Sequence, residues 1–338
     1  MSYKLYNEDI KEQYLTKYST ERSQNTVRHV FSKAESSEEL LKKDLYDFNL
    51  EEIGKVIKNS NPLNLAQAKS LGRFISSYIN WAIDSEVNLR RDNMNPLRNV
   101  EDEFFIPLIN TSRKIHYSED EFIDLLEQLP NAQDQGFLYL LFHGIMGKSF
   151  SQLQPLTYND VDWNNNEIYI KERDEKIKLS DRGMRYIENA YKATNYLNYD
   201  PETGDYKERS LLESDYIFKQ TNSPRSKEGS PATVTTFYNR LNNIRTEFEL
   251  DHLTPISLRQ SGMIHTAAKI LQEKIANGEE PKLSRDDIKV IGDKYQASKI
   301  EVGEYSYYNR SLMKPFINAE KLKELYDIDF IEFGSDSD

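Results

Sequence analysis

Several short stretches of this chain combine side chains that can hold phosphate groups or read the edges of nucleic-acid bases. Arginine and lysine bind phosphate oxygens, and asparagine pairs with base edges in the major groove. Each stretch also fits a solvated helix cap or a surface loop, so its chemistry depends on where the fold places it. The candidates are Arg22 and Arg28 in the polar helix start 19–29, Arg90 and Arg91, Lys148, Arg225 and Lys227 in a loop broken by Ser and Pro, and Asn239 and Arg240 on the helix that opens at Thr233.

Motifs for other chemistries are missing from the sequence. There is no P-loop, no Gly-rich dinucleotide motif and no G-x-S-x-G motif, and the histidines are not spaced as metal ligands. We therefore expect no cofactor and no metal. The absence of cysteine excludes disulfides and favours a reducing, cytoplasmic compartment. No uncharged apolar run reaches the roughly 18 residues of a membrane span, so no membrane association is expected. The histidines are His29, His116, His143, His252 and His265.

The net charge argues for caution about nucleic acids. The 338 residues carry 44 basic and 56 acidic side chains, a net charge of −12, whereas nucleic-acid binders are usually basic. Residues 1–100 are nearly balanced, and the acidic excess lies in the rest of the chain. Any DNA-binding surface must therefore be local. Hydrophobic residues make up 38% of the chain and aromatic residues 12%, which is enough for folded cores.

Apolar periodicity predicts a small helical domain in the first hundred residues. The pattern breaks at Asn95-Pro96, and the following segment shows no clear period, which is typical of a linker. We predict a helical domain over residues 1–96 and a linker over 97–115. The predicted helices lie near Asn7–Tyr18, Gln24–Lys33, Leu50–Asn59 and Leu65–Asp84.

A second domain follows, over residues 116–318, and it is mainly helical with a small β-sheet. Ser118 and Glu121 form a capping box that opens a helix over Phe122–Leu129. A hairpin is predicted from Glu167–Ile170 and Lys176–Leu179, and a loop rich in Asn, Asp and Gly over Asn195–Arg209. Residues 319–338 are predicted to form a C-terminal helix, Ala319–Tyr326, and an acidic tail. Further predicted helices contain Phe137–Phe142, Asp181–Lys192, Pro231–Phe248, Ser257–Ala276 and Arg285–Gly292.

Three segments of the second domain carry a family resemblance. Met146–Asp162 follows the line TGLRxxELxxLxWxDID, Asp215–Phe218 resembles the "yvF" strand, and Pro255–Ser261 resembles the "pHdLRHT" helix start. From about residue 5 to residue 312, the chain resembles the tyrosine recombinase (phage integrase) family. The resemblance implies a helical, SAM-like core-binding domain followed by a catalytic-type domain, with double-stranded DNA as the partner.

The same resemblance implies a degenerate catalytic pocket. The family breaks a phosphodiester bond with a tyrosine, while arginine, lysine and histidine side chains stabilise the phosphorane and move protons. Here Ser149 stands at the first arginine and Ile256 at the histidine, and each loss lowers the rate about a hundred- to a thousandfold. Arg259 matches the second arginine and is expected to hold a phosphate. The other positions are Gln152 for the glutamate, Lys171 (with Lys176 as a rival) for the hairpin lysine, Asp293 for the Gly-His step, and Tyr305, Tyr307 or Tyr308 for the nucleophile.

This pattern is similar to that of the integrase-like repressors that temperate phages use to control lysogeny. It predicts a non-catalytic, sequence-specific DNA-binding protein that acts at operator sites near the host nucleoid. An active recombinase that uses a displaced arginine, Arg182 or Arg185, is the first alternative, and a protein-interaction factor is the second. The resemblance also implies self-association through the C-terminal helix, and a repressor of this kind is expected to meet an antirepressor protein or peptide.

Overall fold

The computed structural model describes residues 5–62, 65–84, 89–90, 92–110, 114–224, 226–303, 305–330 and 332–333, with only the backbone described at 22, 66, 302 and 332. The chain divides into two units, residues 1–114 and 115–338. None of the described helices is long and apolar enough to cross a membrane.

The first unit is helical, as predicted. Its third helix begins at a capping box, in which the Glu52 amide donates to Asn49 Oδ1 at 3.0 Å and the Asn49 amide donates to Glu52 Oε2 at 2.8 Å. The second helix extends to Leu41, well past the predicted end at Lys33. The helices are α1 (Glu8–Leu15), α2 (Glu21–Leu41), α3 (Leu50–Asn59), α4 (Leu65–Asp84) and the short α5 (Asp102–Phe105).

Aromatic rings and a buried cluster of charged side chains form the centre of this unit. The ring of Tyr78 lies 4.7 Å from that of Phe31 and 5.0 Å from that of Tyr14. Beside them, Lys11 Nζ donates to both carboxylate oxygens of Glu38, at 2.6 and 2.7 Å, and both side chains are fully buried. The ammonium group offsets the cost of burying the carboxylate, so removing it would leave an unpaired charge in the core.

The predicted linker differs from the structure. Residues 102–105 form α5, and Phe105 is buried in the core of the first unit. Its ring lies so close to Gly72 on α4 that a Cβ atom there would approach it to 2.7 Å. The helix α5 is a single turn, which is too short to show an apolar period in the sequence. The boundary between the units follows Lys114.

The second unit contains the remaining helices and small sheets. The predicted capping box at Ser118 and Glu121 is present. The helices α7 (Ala132–Phe142) and α10 (Pro255–Ala276) cross closely, since a Cβ atom on Gly262 would lie 1.7 Å from the carbonyl oxygen of Phe142. The helices are α6 (Glu119–Gln128), α7 (Ala132–Phe142), α8 (Asp181–Lys192), α9 (Val234–Glu247), α10 (Pro255–Ala276), α11 (Arg285–Tyr295) and α12 (Ala319–Tyr326).

The predicted hairpin belongs to an antiparallel sheet whose strands lie in the order β1 (Val161–Asp162), β2 (Glu167–Ile170) and β3 (Glu175–Lys178). Ile168 is its central residue and pairs with Val161 and Ile177. The expected loop at 195–209 is instead mostly a second hairpin, in which Tyr196 pairs with Arg209. The strands are β1 (Val161–Asp162), β2 (Glu167–Ile170), β3 (Glu175–Lys178), β4 (Asn195–Tyr199), β5 (Tyr206–Ser210), β6 (Lys282–Leu283), β7 (Lys299–Val302), β8 (Tyr305–Tyr308) and β9 (Glu332–Phe333).

The C-terminal helix packs on its own unit. Leu322 of α12 is fully buried in the core that α10 and α11 also line. The Tyr326 hydroxyl accepts a hydrogen bond from the Glu119 amide at 3.1 Å, and β9 pairs in parallel with β6. In this structure α12 therefore makes contacts within its own chain, whereas the resemblance implied an exchange between neighbours.

Candidate functional site

Arg259 lies in the first part of α10 and points at the end of α11. Its Nε donates to the Tyr295 carbonyl at 2.9 Å, and Nη2 donates to the Gln296 carbonyl at 3.0 Å. These carbonyls are the ones that a helix C-terminus leaves without an internal partner, and a cation there also interacts favourably with the helix dipole. Burial lowers the pKa of Arg259. Its guanidinium therefore caps α11, whereas the sequence predicted that it holds a phosphate.

Arg173 is a second arginine in this network. It lies in the turn between β2 and β3, and Nη1 donates to the Lys294 carbonyl at 3.0 Å, one residue before the carbonyl that Arg259 binds. Nη2 donates to the Gly144 carbonyl. Burial lowers the pKa of Arg173, and the positive charge of Arg259 also contributes. The sequence reasoning missed this residue and named its neighbour Lys171.

Gln152 connects Arg173 with Gln296, the residue whose carbonyl Arg259 binds. It is 2% exposed, and its Oε1 accepts hydrogen bonds from Arg173 Nη2 at 2.8 Å and from the Met146 amide at 3.1 Å. Its Nε2 donates to Gln296 Oε1 at 2.8 Å and to Glu172 Oε1 at 3.1 Å. A glutamate at this position could not donate these last two bonds. The neutral amide therefore suits a closed network.

Ser149 and Ile256 are both exposed. Ser149 has a left-handed backbone, with φ 54°, and precedes the buried Phe150, which also has a positive φ of 62°. The Ile256 side chain is 61% exposed on the first turn of α10. Neither side chain carries the charge or the ring nitrogen that the resemblance to tyrosine recombinases implies at its position.

Lys171, Asp293 and Tyr308 are held by other partners. Lys171 Nζ forms an ion pair with Asp160 Oδ2 at 2.8 Å. Burial favours a higher pKa for Asp160, but hydrogen bonds, above all the one from Lys171, lower its pKa overall. Asp293 pairs with Lys289 at 2.7 Å and also accepts a hydrogen bond from the Tyr308 hydroxyl. Burial and this bond raise the pKa of Tyr308, which opposes formation of a phenolate nucleophile. The other two candidates, Tyr305 and Tyr307, lie on the same strand with exposed rings.

Two predicted DNA contacts are buried structural residues. Arg240 is 2% exposed, and its guanidinium donates to Gln133 Oε1 at 2.8 Å and to the Lys219 carbonyl at 2.7 Å. Arg90 is 5% exposed and donates to the Phe48 carbonyl at 3.2 Å and to Asp92. Both predictions were wrong, because guanidinium groups whose donors are consumed inside the fold do not meet DNA phosphates.

The remaining DNA candidates fall into three groups. Arg28 binds Glu12 through two hydrogen bonds, which raise its pKa and occupy its guanidinium. Lys148, Lys227 and Asn239 are exposed. Arg91 and Arg225, together with the side chain of Arg22, lie outside the described residues.

A polar stripe on α9 lies beside the Lys148 loop. The ring of Phe150, two residues after Lys148, packs 5.0 Å from that of Tyr238. Tyr238 is 51% exposed and adjoins the exposed Asn239. The exposed positions follow helical spacing along one side, so their side chains share a face. The stripe consists of Thr235, Tyr238, Asn239, Asn242 and Thr246.

Solved structures with a similar outline include recombinases and integrases of low sequence identity. A lambda integrase dimer bound to a COC′ core site is 11% identical, with a TM-score of 0.44, and the match covers 97% of this chain and 80% of that one. The XerA recombinase is 13% identical, with a TM-score of 0.39 and coverage of 94% and 96%. The Tn1549 transposon integrase in complex with circular intermediate DNA is 12% identical, with a TM-score of 0.42 and coverage of 87% and 96%.

The sequence comparisons identify the family. The model for the MrpR C-terminal catalytic domain matches residues 116–327, and the model for the MrpR N-terminal core-binding domain matches residues 5–84. The chain is also 28% identical over 331 residues to the SPbeta prophage-derived uncharacterized protein YopR of Bacillus subtilis strain 168, covering 95% of this chain and 97% of YopR. The chain belongs to the MrpR family and has a two-domain fold of the tyrosine recombinase type.

Proposed function

We propose that this chain is a non-catalytic, sequence-specific DNA-binding protein that represses phage transcription and so maintains lysogeny. The observation that carries the proposal is the closed arginine network. Arg259 and Arg173 direct their donors at backbone carbonyls and at Gln152, whereas phosphorane stabilisation requires donors aimed at the reacting phosphate. Opening the site would first require breaking these bonds.

The α9 stripe supports DNA contact at a surface outside this network. Asparagine can pair with adenine through two hydrogen bonds, and threonine side chains contact several bases in the major groove. Lys148 adds a positive charge next to the stripe, and it is exposed. The family model that matches residues 5–84 is named for core binding, which supports a DNA contact of the first unit as well.

Salt dependence tests the proposal, because a chain with a net charge of −12 can contact DNA phosphates only through local basic surfaces. A few local phosphate contacts predict an affinity that falls steeply with salt concentration, with a logarithmic slope of about −0.9 per contact. A protein-interaction factor would form its complexes without DNA and with little dependence on salt.

The direct experiment is a genome-wide occupancy map in a lysogen, followed by gel-shift assays on the recovered fragments. We expect discrete sites, with binding lost at high salt. The Asn239→Ala variant should lose preference for these sites, while Thr203→Ala, in the exposed turn between β4 and β5, serves as the control. Occupancy without any preferred site would contradict the proposal.

An active recombinase is the second candidate, and one observation favours it. Arg173 and Arg259 end in the same network, so the pocket holds two arginines even though Ser149 replaces the expected one. Arg182 and Arg185, considered from the sequence, are instead exposed on α8. A nicked suicide substrate would trap a phosphotyrosyl adduct if cleavage occurs. An adduct that disappears in the Arg173→Met variant would establish this candidate.

A further inference from the structure

Two carboxylates and one ammonium group meet in the interior of the first unit. Lys11 on α1 lies between Glu38, near the end of α2, and Asp44, which caps the short turn Leu45–Asp47. Its Nζ donates to both oxygens of Glu38, at 2.6 and 2.7 Å, and lies 4.0 Å from Asp44 Oδ2. All three residues are at most 2% exposed. Among the described residues, the cluster therefore holds one carboxylate more than it holds cations.

The remaining partners of the two carboxylates are neutral donors. The Tyr78 hydroxyl on α4 donates to Asp44 Oδ1 at 3.0 Å, and the Leu45 amide donates to Glu38 Oε1 at 2.7 Å. Neutral donors stabilise a carboxylate without balancing its charge. The other donors to Asp44 are the side-chain amide of Asn7 at 3.1 Å and the backbone amide of Tyr46 at 3.3 Å.

The ionisable groups around the cluster do not supply the missing cation. Lys43, next to Asp44 in the chain, pairs with Glu52 at 2.7 Å. Arg90 donates to the carbonyl groups of the turn and pairs with Asp92 at 2.6 Å. The other groups are phenols, which carry no positive charge in either protonation state. They belong to Tyr6, whose ring faces Lys11, and to Tyr46 and Tyr78.

A buried carboxylate without a cation of its own favours binding of a proton, because the protonated form is cheaper to bury. Burial raises the pKa of Glu38 to about 7, although the charge of Lys11 opposes it, and burial also raises the pKa of Asp44. The two carboxylates interact, so the proton belongs to the pair. A raised carboxyl pKa gives stability that is present below about pH 4 and is lost as the pH rises through about 7.

We propose that the cluster of Lys11, Glu38 and Asp44 is a proton-dependent switch that sets how firmly α1 is held against α2 and α4. With one proton on the carboxylate pair the cluster is neutral, and Lys11 fixes α1 in place. Loss of the proton leaves a net negative charge in the core, and movement of α1 that admits water relieves it. The switch lies in the fold of the first unit, so it goes beyond the proposed DNA binding and does not depend on it.

The chain carries a natural reporter for this unit. It has two tryptophans, Trp81 in the first unit and Trp163 in the second. The Trp81 ring lies 5.4 Å from that of Tyr14 on α1 and stacks on that of Tyr78 at 5.9 Å. In the full chain with Trp163→Phe, tryptophan fluorescence therefore follows the packing of α1 and α4 alone.

Urea unfolding of this reporter chain across pH, with and without Asp44→Asn, tests the proposal. The substitution removes the excess carboxylate and keeps an oxygen that accepts from Tyr78. From about pH 5 to about pH 8, the unfolding equilibrium constant of the parent should rise at least about tenfold relative to that of the variant. The reason is that one linked proton changes this constant about tenfold per pH unit between the unfolded-state and folded-state pKa values.

The matched control is Asp9→Asn, which removes an equal charge from an exposed position on the same helix. It should keep the pH dependence of the parent. Parallel pH profiles for the parent and Asp44→Asn, or an equal effect of Asp9→Asn, would overturn the proposal.

Hydrogen exchange on the unmodified chain tests the same proposal without a substitution, and so covers the case in which Asp44→Asn does not fold. After correction for base catalysis, the protection of the α1 amides should fall at least about tenfold over the same pH range. Constant protection of α1, or an equal fall in α10 of the second unit, would overturn the switch.

Discussion

Replacing Arg259 distinguishes a structural cap from a phosphate clamp. In the Arg259→Met variant the aliphatic part of the side chain is kept, while the hydrogen bonds to the Tyr295 and Gln296 carbonyls are lost. Tyr295 is 1% exposed, whereas Gln296 is exposed, so water can replace the arginine at the second carbonyl more readily than at the first. The cost should therefore come mainly from one buried carbonyl and from the helix end.

The expected loss of stability follows from these contacts. A hydrogen bond to a charged group contributes about 1.5–3 kcal/mol, and a cation at a helix C-terminus adds about 0.3–1 kcal/mol. The second unit should therefore lose about 2–4 kcal/mol in its free energy of unfolding. For a unit of this size, each kcal/mol lowers Tm by about 2–4 °C, so we expect a decrease of about 5–15 °C.

Calorimetry and DNA-binding anisotropy on the same variant provide the test. Arg185→Met, an exposed arginine on α8, is the control and should leave Tm nearly unchanged. At a temperature where the variant is folded, its DNA affinity should stay within about threefold of the wild type. An unchanged Tm, together with a large loss of affinity and a salt slope reduced by about 0.9, would refute the cap and establish a phosphate contact.

Three further predictions follow from other parts of the fold. The Asn239→Ala variant should lose about 1–3 kcal/mol of specific DNA binding, with non-specific binding unchanged, in competition gel shifts. The Lys11→Met variant leaves Glu38 buried without its partner and should destabilise the first unit by about 3–5 kcal/mol in urea unfolding. Burial raises the pKa of Asp134 to about 6, although the Arg240 charge opposes it. A raised carboxyl pKa gives stability that is present below about pH 4 and is lost as the pH rises through about 6. Asp134→Asn should remove this fall, measured as the difference in unfolding free energy between variant and wild type across that range.

Local patterns predicted the elements whose signals are strong. The apolar spacing of α4 and the capping box at Ser118 gave correct helices, and the alternation of β2 gave a correct hairpin. The hairpin at 195–210 was missed because β4 is rich in Asn and Tyr and β5 is exposed along its whole length, so neither strand alternates apolar and polar residues, and because Gly204 marks a turn that also fits a loop. Boundaries set by one anchored side chain, such as Phe105, carry no periodic signal.

The errors at the site have a different origin. Arg240 lies three residues after Phe237 and four before Ile244, which places it on the buried face of α9, so the helical spacing already contained the signal. Arg173 has no such signal. Its role depends on the conformation of a four-residue turn and on carbonyl groups that come from Gly144 and Lys294, far away along the chain. Sequence patterns report which faces are apolar, but they do not report which distant carbonyl needs a donor.

Under the proposed non-catalytic function, the closed network lets a recombinase-type pocket stabilise the fold. A catalytic site keeps charged donors without internal partners, and such sites are commonly costly to stability. Here the donors of Arg173 and Arg259 tie the β2–β3 turn and α10 to consecutive carbonyls at the end of α11, with Gln152 between them. Each bond that fixes these elements removes a donor from the phosphate. Stability and cleavage therefore compete for the same guanidinium groups, and a variant that frees them should be less stable even if it gains phosphate binding.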